Sequence, residues 1–180
     1  MFLYSWKYFS NAANVNAFYW SQANSIVIPA GILRDIFFDH DRPQYLNFGT
    51  IGYVIGHEIT HCFKKDDIKI DNGGEKWETN KTLRNFEDSA QCFIEQYRNY
   101  SEHSYGLLGN ISTLNEDIAD NGGLSLAYMA YQDELKRILN LGKQPQLLPR
   151  LVDKKMTIEQ IFFLSLAQVK IRSSKIFLNN

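Results

Sequence analysis

The pattern of hydrophobic and polar positions predicts a mainly helical chain that begins with two short strands. Residues 15–20 and 24–28 are rich in β-branched and aromatic side chains, and Pro29 and Gly31 then end the second run. Apolar residues recur at helical spacing in the later segments, at about 48–63, 86–100, 113–135 and 158–169. The fold class expected from this pattern is mainly α with a small β-strand pair.

Three details of these helices are also expected. The helix at 86–100 should carry one stripe of partly apolar residues, namely Cys92, Phe93, Gln96 and Tyr97. Thr113 and Glu116 match a capping box at the start of the next helix, which we expect to bend at Gly122-Gly123. The last helix should end at Val169 and give way to a basic, irregular tail.

Length, composition and charge exclude several classes of protein. The chain has 180 residues, of which 44% are hydrophobic and 14% aromatic, as expected for one globular domain or a piece of a larger one. A formal net charge of −1 gives no reason to expect nucleic acid or an anionic membrane as a partner. No apolar run reaches the ~18–20 residues of a membrane span, and the N-terminus lacks the pattern of a signal peptide.

The most informative motif is His57-Glu58-Ile59-Thr60-His61, which has the HExxH spacing of zinc peptidases. On an α-helix, residues four apart share one face, so two imidazoles can bind one zinc ion. Glu58 lies beside them, close enough to act on water at the metal. The alternative is a surface helix that carries two histidines by chance.

A third ligand is needed, because catalytic zinc usually takes three protein ligands. Asp67 is one candidate, but no glycine at position 64 supports the tight turn it would need. The better candidates are Glu116 and Asp120, which share a helix face. One could bind the metal while the other accepts the free ring N–H of a ligating histidine. By themselves, two acids on a helix would more often form a solvated face.

Cysteines and sequons bear on the compartment. Two cysteines, Cys62 and Cys92, do not define a disulfide framework. Asn80, Asn99 and Asn110 each begin an Asn-x-Ser/Thr sequon. Three sequons within about thirty residues favour a secreted glycoprotein ectodomain.

Together these segments resemble the C-terminal catalytic part of the neprilysin and endothelin-converting enzyme family of zinc metallopeptidases. The matching segments follow the family order: VNAFY at 15–19, NSIVIPAGIL at 24–33, LNFGTIGYVIGHEITHCF at 46–63, QCFIEQYRNYS at 91–101, TLNEDIADNGGLSLAY at 113–128 and IFFLSLAQV at 161–169. The pair VIGHEITH and NEDIADNGGL is highly specific. The resemblance implies an incomplete catalytic region of the thermolysin-like (gluzincin) class.

The resemblance also implies roles for individual residues. The implied zinc ligands are His57, His61 and Glu116, holding one Zn²⁺ per chain. Glu58 is implied as general base and Asp120 as the partner of a ligating histidine. Asn16 and Ala17, on the first strand, are implied to hold the backbone of a peptide substrate, as an edge strand can. Asn16 could instead be an ordinary strand-end or turn residue. An extracellular or cell-surface location is implied.

Several departures from the family pattern predict impaired catalysis. Lys64 stands where the family has an acid, and Lys170 and Ile171 replace a Trp and a Cys, the latter implied as the disulfide partner of Cys92. A further His and Arg, implied to stabilise the oxyanion and bind the substrate, have no counterpart before Asn180. We therefore expect a single partial catalytic domain over 1–180, family-like over 1–170 with a divergent tail at 171–180. The rival hypotheses are a zinc-binding fragment or interaction module without useful catalysis, and a purely structural helical protein without metal.

Overall fold

A computed structural model describes residues 11–63, 80–101, 113–148 and 156–177. It is mainly helical with one two-stranded sheet, which confirms the predicted fold class. The strands are β1 (Phe18–Trp20) and β2 (Ser25–Val27), and the helices are α1 (Gln44–Asn47), α2 (Tyr53–His61), α3 (Asn80–Ser101), α4 (Leu114–Asn140) and α5 (Ile158–Phe177). No helix among the described residues is both long and apolar enough to span a membrane.

The strand pair is antiparallel and shorter than expected. Phe18 lies opposite Val27, and Asn24 makes the connecting turn with a left-handed φ of 44°. Asn16 and Ala17 precede β1 rather than lying within it. The local cause is a side-chain hydrogen bond, in which the Ala17 N–H donates to Asn16 Oδ1 at 2.9 Å and so is used outside a strand ladder.

A π-helical turn at Phe48–Gly52 joins α1 to α2 without a break. The Ile51 N–H donates to the Phe37 carbonyl at 3.1 Å, outside the helix. Arg42 secures the same loop, because its guanidinium donates to the carbonyls of Ile36 and Phe37 at 3.0 and 2.7 Å. The turn and loop together fix where α2 begins.

Helix α4 continues through Gly122 and Gly123, the predicted place of a bend, as one element without interruption. The two glycines allow close packing against α2. A Cβ on Gly123 would lie 2.6 Å from the backbone nitrogen of His57. A Cβ on Gly122 would lie 2.5 Å from the Thr60 side chain. At the start of α4, the Thr113 side chain makes no capping hydrogen bond, and its hydroxyl donates to Asp117 instead.

Helix α3 begins six residues earlier than expected and turns a different stripe inward. Cys92 and Gln96 are exposed, so the predicted stripe is wrong at both positions. The more buried positions follow a helical repeat, namely Leu83, Phe86, Ala90, Phe93, Ile94 and Tyr97. The face of α3 that is buried is therefore set by its apolar residues and does not include Cys92 or Gln96 of the predicted stripe.

Helix α5 runs to Phe177, eight residues past the predicted end at Val169. The tail predicted to be irregular is therefore helical through Phe177. This extension carries Lys170 on an ordered helix, directly after buried Val169. Because α5 extends past Val169, Lys170 lies on this helix and lines the cavity described below.

Two buried clusters lie against α2 and the turn before it. One contains Tyr45, Tyr53, Ala127, Tyr131, Ile161 and Phe162. The other contains Ala17, Ile32, Phe37, Ile51 and Val169. The rings of Tyr131 and Phe162 stack with centroids 5.7 Å apart, which ties α4 to α5. Val54 on α2 packs against both clusters, so α2 belongs to each part of the core.

Candidate metal centre and adjoining cavity

Three side chains from two helices converge on one point. His57 Nε2 lies 3.3 Å from Glu116 Oε2, and His61 Nε2 lies 3.5 Å from the same oxygen. The two imidazole rings meet edge to face with centroids 4.4 Å apart. One nitrogen or oxygen from each of the three residues lies within 4.8 Å of the others. The structure thus brings together the three residues that were predicted as zinc ligands.

The spacing of these atoms fits a zinc ion. Zinc ligands at about 2.0–2.1 Å from a tetrahedral metal lie about 3.4 Å from one another. The two distances to Glu116 Oε2 match that edge length. Two imidazoles with one carboxylate are also a known donor set for catalytic zinc, and three protein ligands leave one position open.

The crossing of α2 and α4 brings the three side chains together. A Cβ on Gly56 would lie 2.7 Å from the Gly123 carbonyl oxygen, so the two backbones touch at this pair. Gly56 precedes His57 directly, and Gly123 lies two turns after Glu116. The close crossing therefore sets the distance between the histidines and the carboxylate.

Asp120 binds His57 from the side opposite Glu116. The His57 Nδ1 atom lies 2.9 Å from Asp120 Oδ1, while its Nε2 faces Glu116. Such a hydrogen bond fixes the ring orientation and leaves Nε2 as the ligand atom. Glu116 and Asp120, one turn apart, therefore contact the two different nitrogens of one imidazole.

Two more side chains contact the Asp120 carboxylate. The Tyr53 hydroxyl donates to Oδ1, and Lys170 Nζ lies 2.5 Å from Oδ2. Burial by itself would raise the pKa of Asp120, but the hydrogen bonds from His57, Lys170 and Tyr53 outweigh it and lower that pKa to about 2. Burial, reinforced by the bond to Asp120, raises the pKa of Tyr53 far above its ordinary value. Asp120 is thus ionised at neutral pH, and Tyr53 keeps the hydroxyl proton that it donates to Asp120.

A cavity of about 130 Å³ opens next to the histidines. Glu58 and His57 both line it, and Glu58 is only 6% exposed. The remaining walls come from several elements: Val15, Asn16, Ile32, Phe37, Tyr53, Val54, Asp120, Val169 and Lys170. Asn16 is thus at the cavity. Ala17 is 5% exposed and packs in the second buried cluster.

Two residues at the site were missed by sequence reasoning. Tyr53 precedes His57 by four residues, so helical spacing could have placed its hydroxyl near the same carboxylate. Lys170 gave no such local signal, because its position depends on how α5 packs. Asp67, the other third-ligand candidate, lies outside the described residues, as does Lys64.

Comparison with known proteins decides the family. The sequence profile described as Peptidase family M13 matches residues 16–176. The chain belongs to this family. Mouse neprilysin is 44% identical over 167 residues, which cover 91% of this chain and 21% of the relative. Neprilysin-2 of Drosophila melanogaster is 49% identical over 130 residues, covering 71% of this chain and 17% of the relative.

Solved structures agree with the sequence match. The zinc metalloprotease Zmp1 of Mycobacterium tuberculosis, in complex with an inhibitor, superposes with a TM-score of 0.74 at 34% identity. That match covers 94% of this chain and 25% of the other. The predicted family and its thermolysin-like fold are confirmed. The family implies a zinc cofactor, and this chain spans about a fifth of the length of the neprilysins it matches.

Proposed function

We propose that this M13 chain is the zinc-binding catalytic region of a metalloendopeptidase. The observation that supports the proposal is the convergence of three ligand atoms, with His57 Nε2 and His61 Nε2 at 3.3 and 3.5 Å from Glu116 Oε2. The proposed ligands are these three residues. When bound, zinc would act as a Lewis acid that polarises a peptide carbonyl and lowers the pKa of a bound water.

Glu58 is the proposed general base. Glu58 is buried and lines the same cavity as His57, where we expect water and a peptide bond to meet. Glu58 takes the proton from the attacking water and delivers it to the leaving amine. Asp120 holds His57 by its Nδ1 atom and keeps Nε2 directed toward Glu116.

Asn16 and Ala17 are the proposed contacts for the substrate backbone. Asn16 lines the cavity, and Ala17 follows it just before the sheet begins. The partner is therefore a peptide in extended form, laid beside β1. We further propose that the chain is a single partial catalytic domain in an extracellular or cell-surface protein. Asn99, which is exposed, is a proposed site of N-glycosylation.

The test separates metal binding from chemistry. Glu58→Gln should abolish zinc-dependent cleavage of a fluorogenic peptide but leave zinc stoichiometry unchanged, because Glu58 acts on water. Glu116→Ala should lower zinc occupancy. Glu134→Ala is the matched control, since Glu134 lies on the same helix but pairs with Arg137. Equal zinc loss in the first two variants would contradict the assigned roles. Zinc binding without cleavage in the parent chain would favour the non-catalytic alternative.

A further inference from the structure

The Asp120 carboxylate is held from three directions. His57 and Tyr53, both on α2, contact Oδ1, while Lys170 on α5 contacts Oδ2. Among the described residues, Lys170 is the only donor to Oδ2. A carboxylate with both oxygens engaged cannot rotate without breaking a contact. Tyr53 and Lys170 therefore help to set the orientation of this carboxylate toward His57.

The Lys170 contact differs from an ordinary surface ion pair. Its ammonium group lies 5.2 Å from the centroid of the Tyr53 ring, so the two donors to Asp120 also contact each other. Lys170 lines the cavity that Glu58 and His57 share. The Asp120 side chain is 29% exposed and the Lys170 side chain 46%, so the carboxylate is the more sheltered end of the pair.

We propose that Tyr53 and Lys170 are positioning residues that set zinc affinity through Asp120. They hold the carboxylate so that Oδ1 accepts the His57 Nδ1–H, which keeps His57 Nε2 toward Glu116 and His61. The inference rests on the proposed zinc site. It adds a functional link from α5 to α2 that neither the HExxH motif nor the Glu116–Asp120 spacing contains.

The direction in which zinc affinity changes on removing Lys170 distinguishes a positioning role from charge repulsion. Lys170 is a cation near a site for a dication, so by repulsion alone its removal should tighten zinc binding. If Lys170 instead orients Asp120, its removal should weaken zinc binding, because outer contacts of ligating histidines typically contribute 10–100-fold to metal affinity. The two mechanisms predict opposite results.

The experiment measures zinc affinity of the full chain by competition with a chromophoric chelator. We expect Lys170→Met and Tyr53→Phe each to weaken zinc binding about tenfold. Lys170→Arg, which keeps a cationic donor, should stay within about threefold of the parent. Lys136→Met is the matched control, since Lys136 pairs with exposed Asp133 on α4 and should change nothing. The visible spectrum of the Co²⁺-loaded chain should shift in the first two variants only.

A double-mutant cycle tests whether the effect passes through Asp120. In an Asp120→Ala background, Lys170→Met and Tyr53→Phe should cause no further loss of affinity. Unchanged or tighter zinc binding in Lys170→Met would overturn the inference, and so would an equal loss in the Asp120→Ala background. A parent chain that binds no zinc would overturn the proposed metal site as well. Circular dichroism of the metal-free variants checks that each is folded. If Lys170→Met does not fold, Tyr53→Phe, which removes only a hydroxyl group, still tests the inference.

Discussion

The crossing of α2 and α4 lines the cavity directly, whereas the β1–β2 pair adjoins it only through Val15 and Asn16, just before β1, and the two regions are built very differently. At the crossing, the backbones of Gly56 and Gly123 touch, and the Asp120 carboxylate joins α4 to α2. The strand pair has three residues in each strand, all of them half-buried or exposed. Backbone contact therefore positions the proposed metal ligands, whereas a few ladder hydrogen bonds hold the strand pair beside the proposed peptide-binding residues.

This difference matches what each region must do. A metal site tolerates little error in ligand position, so it benefits from helices that cannot move apart or closer. A peptide-binding edge must accept different sequences through main-chain contacts. We expect changes at the crossing to affect folding and metal together, and changes near the strands to affect peptide binding alone.

The largest expected effect comes from Gly123→Ala. The new methyl group would lie 2.6 Å from the His57 nitrogen and 2.9 Å from its Cα, both backbone atoms that cannot move aside separately. We expect the free energy of unfolding to fall by about 3 kcal/mol, with a parallel loss of zinc affinity as α4 shifts. Urea unfolding and zinc titration measure the two effects.

Gly52→Ala is the matched control for Gly123→Ala. A methyl group there would meet its nearest neighbour, the Asn47 carbonyl oxygen, at 3.5 Å, an ordinary contact. Stability should change by less than about 1 kcal/mol, since alanine is the better helix former. If both variants behaved alike, close backbone contact would not be what holds the crossing.

How far the sequence predicts the molecule depends on the same contrast. His57, Glu58 and His61 are fixed relative to one another by helical spacing, so their arrangement was predictable from the motif. The close packing of Gly122 and Gly123 against α2 was not predictable, because a lone sequence does not show which helix lies against them. The Lys170 contact was unpredictable for the same reason, since it depends on tertiary packing of α5.

An intermediate effect is expected at acid pH, again at the crossing. The pKa of Asp120 is about 2, below its ordinary 3.8, so this carboxylate stabilises the fold above about pH 4. The contribution, about 2 kcal/mol, is lost as pH falls from about 4 to 2. Urea unfolding of zinc-free chain at several pH values measures it. Asp120→Asn should show a shallower decline over that interval, and identical pH profiles would contradict a lowered pKa for Asp120.

The smallest expected effect lies beside the strands, at Asn16. Its Oδ1 accepts the Ala17 N–H, but a carboxamide also carries two N–H donors that can bind a peptide carbonyl. Losing one such bond in Asn16→Ala should raise KM for a short peptide about fivefold and leave kcat within about twofold. Stability and zinc affinity should stay near those of the parent. The inhibition constant of a peptide hydroxamate provides a second measure of the same contact.

Asn11→Ala is the control that isolates this peptide contact from local backbone support. Asn11 Oδ1 accepts the Ala13 N–H at 3.0 Å, a bond of the same kind at an exposed place that does not line the cavity. It should therefore leave KM and the inhibition constant unchanged. If Asn11→Ala and Asn16→Ala raised KM equally, Asn16 would only shape the chain before β1. Substrate contacts would then have to come from other residues of the cavity wall.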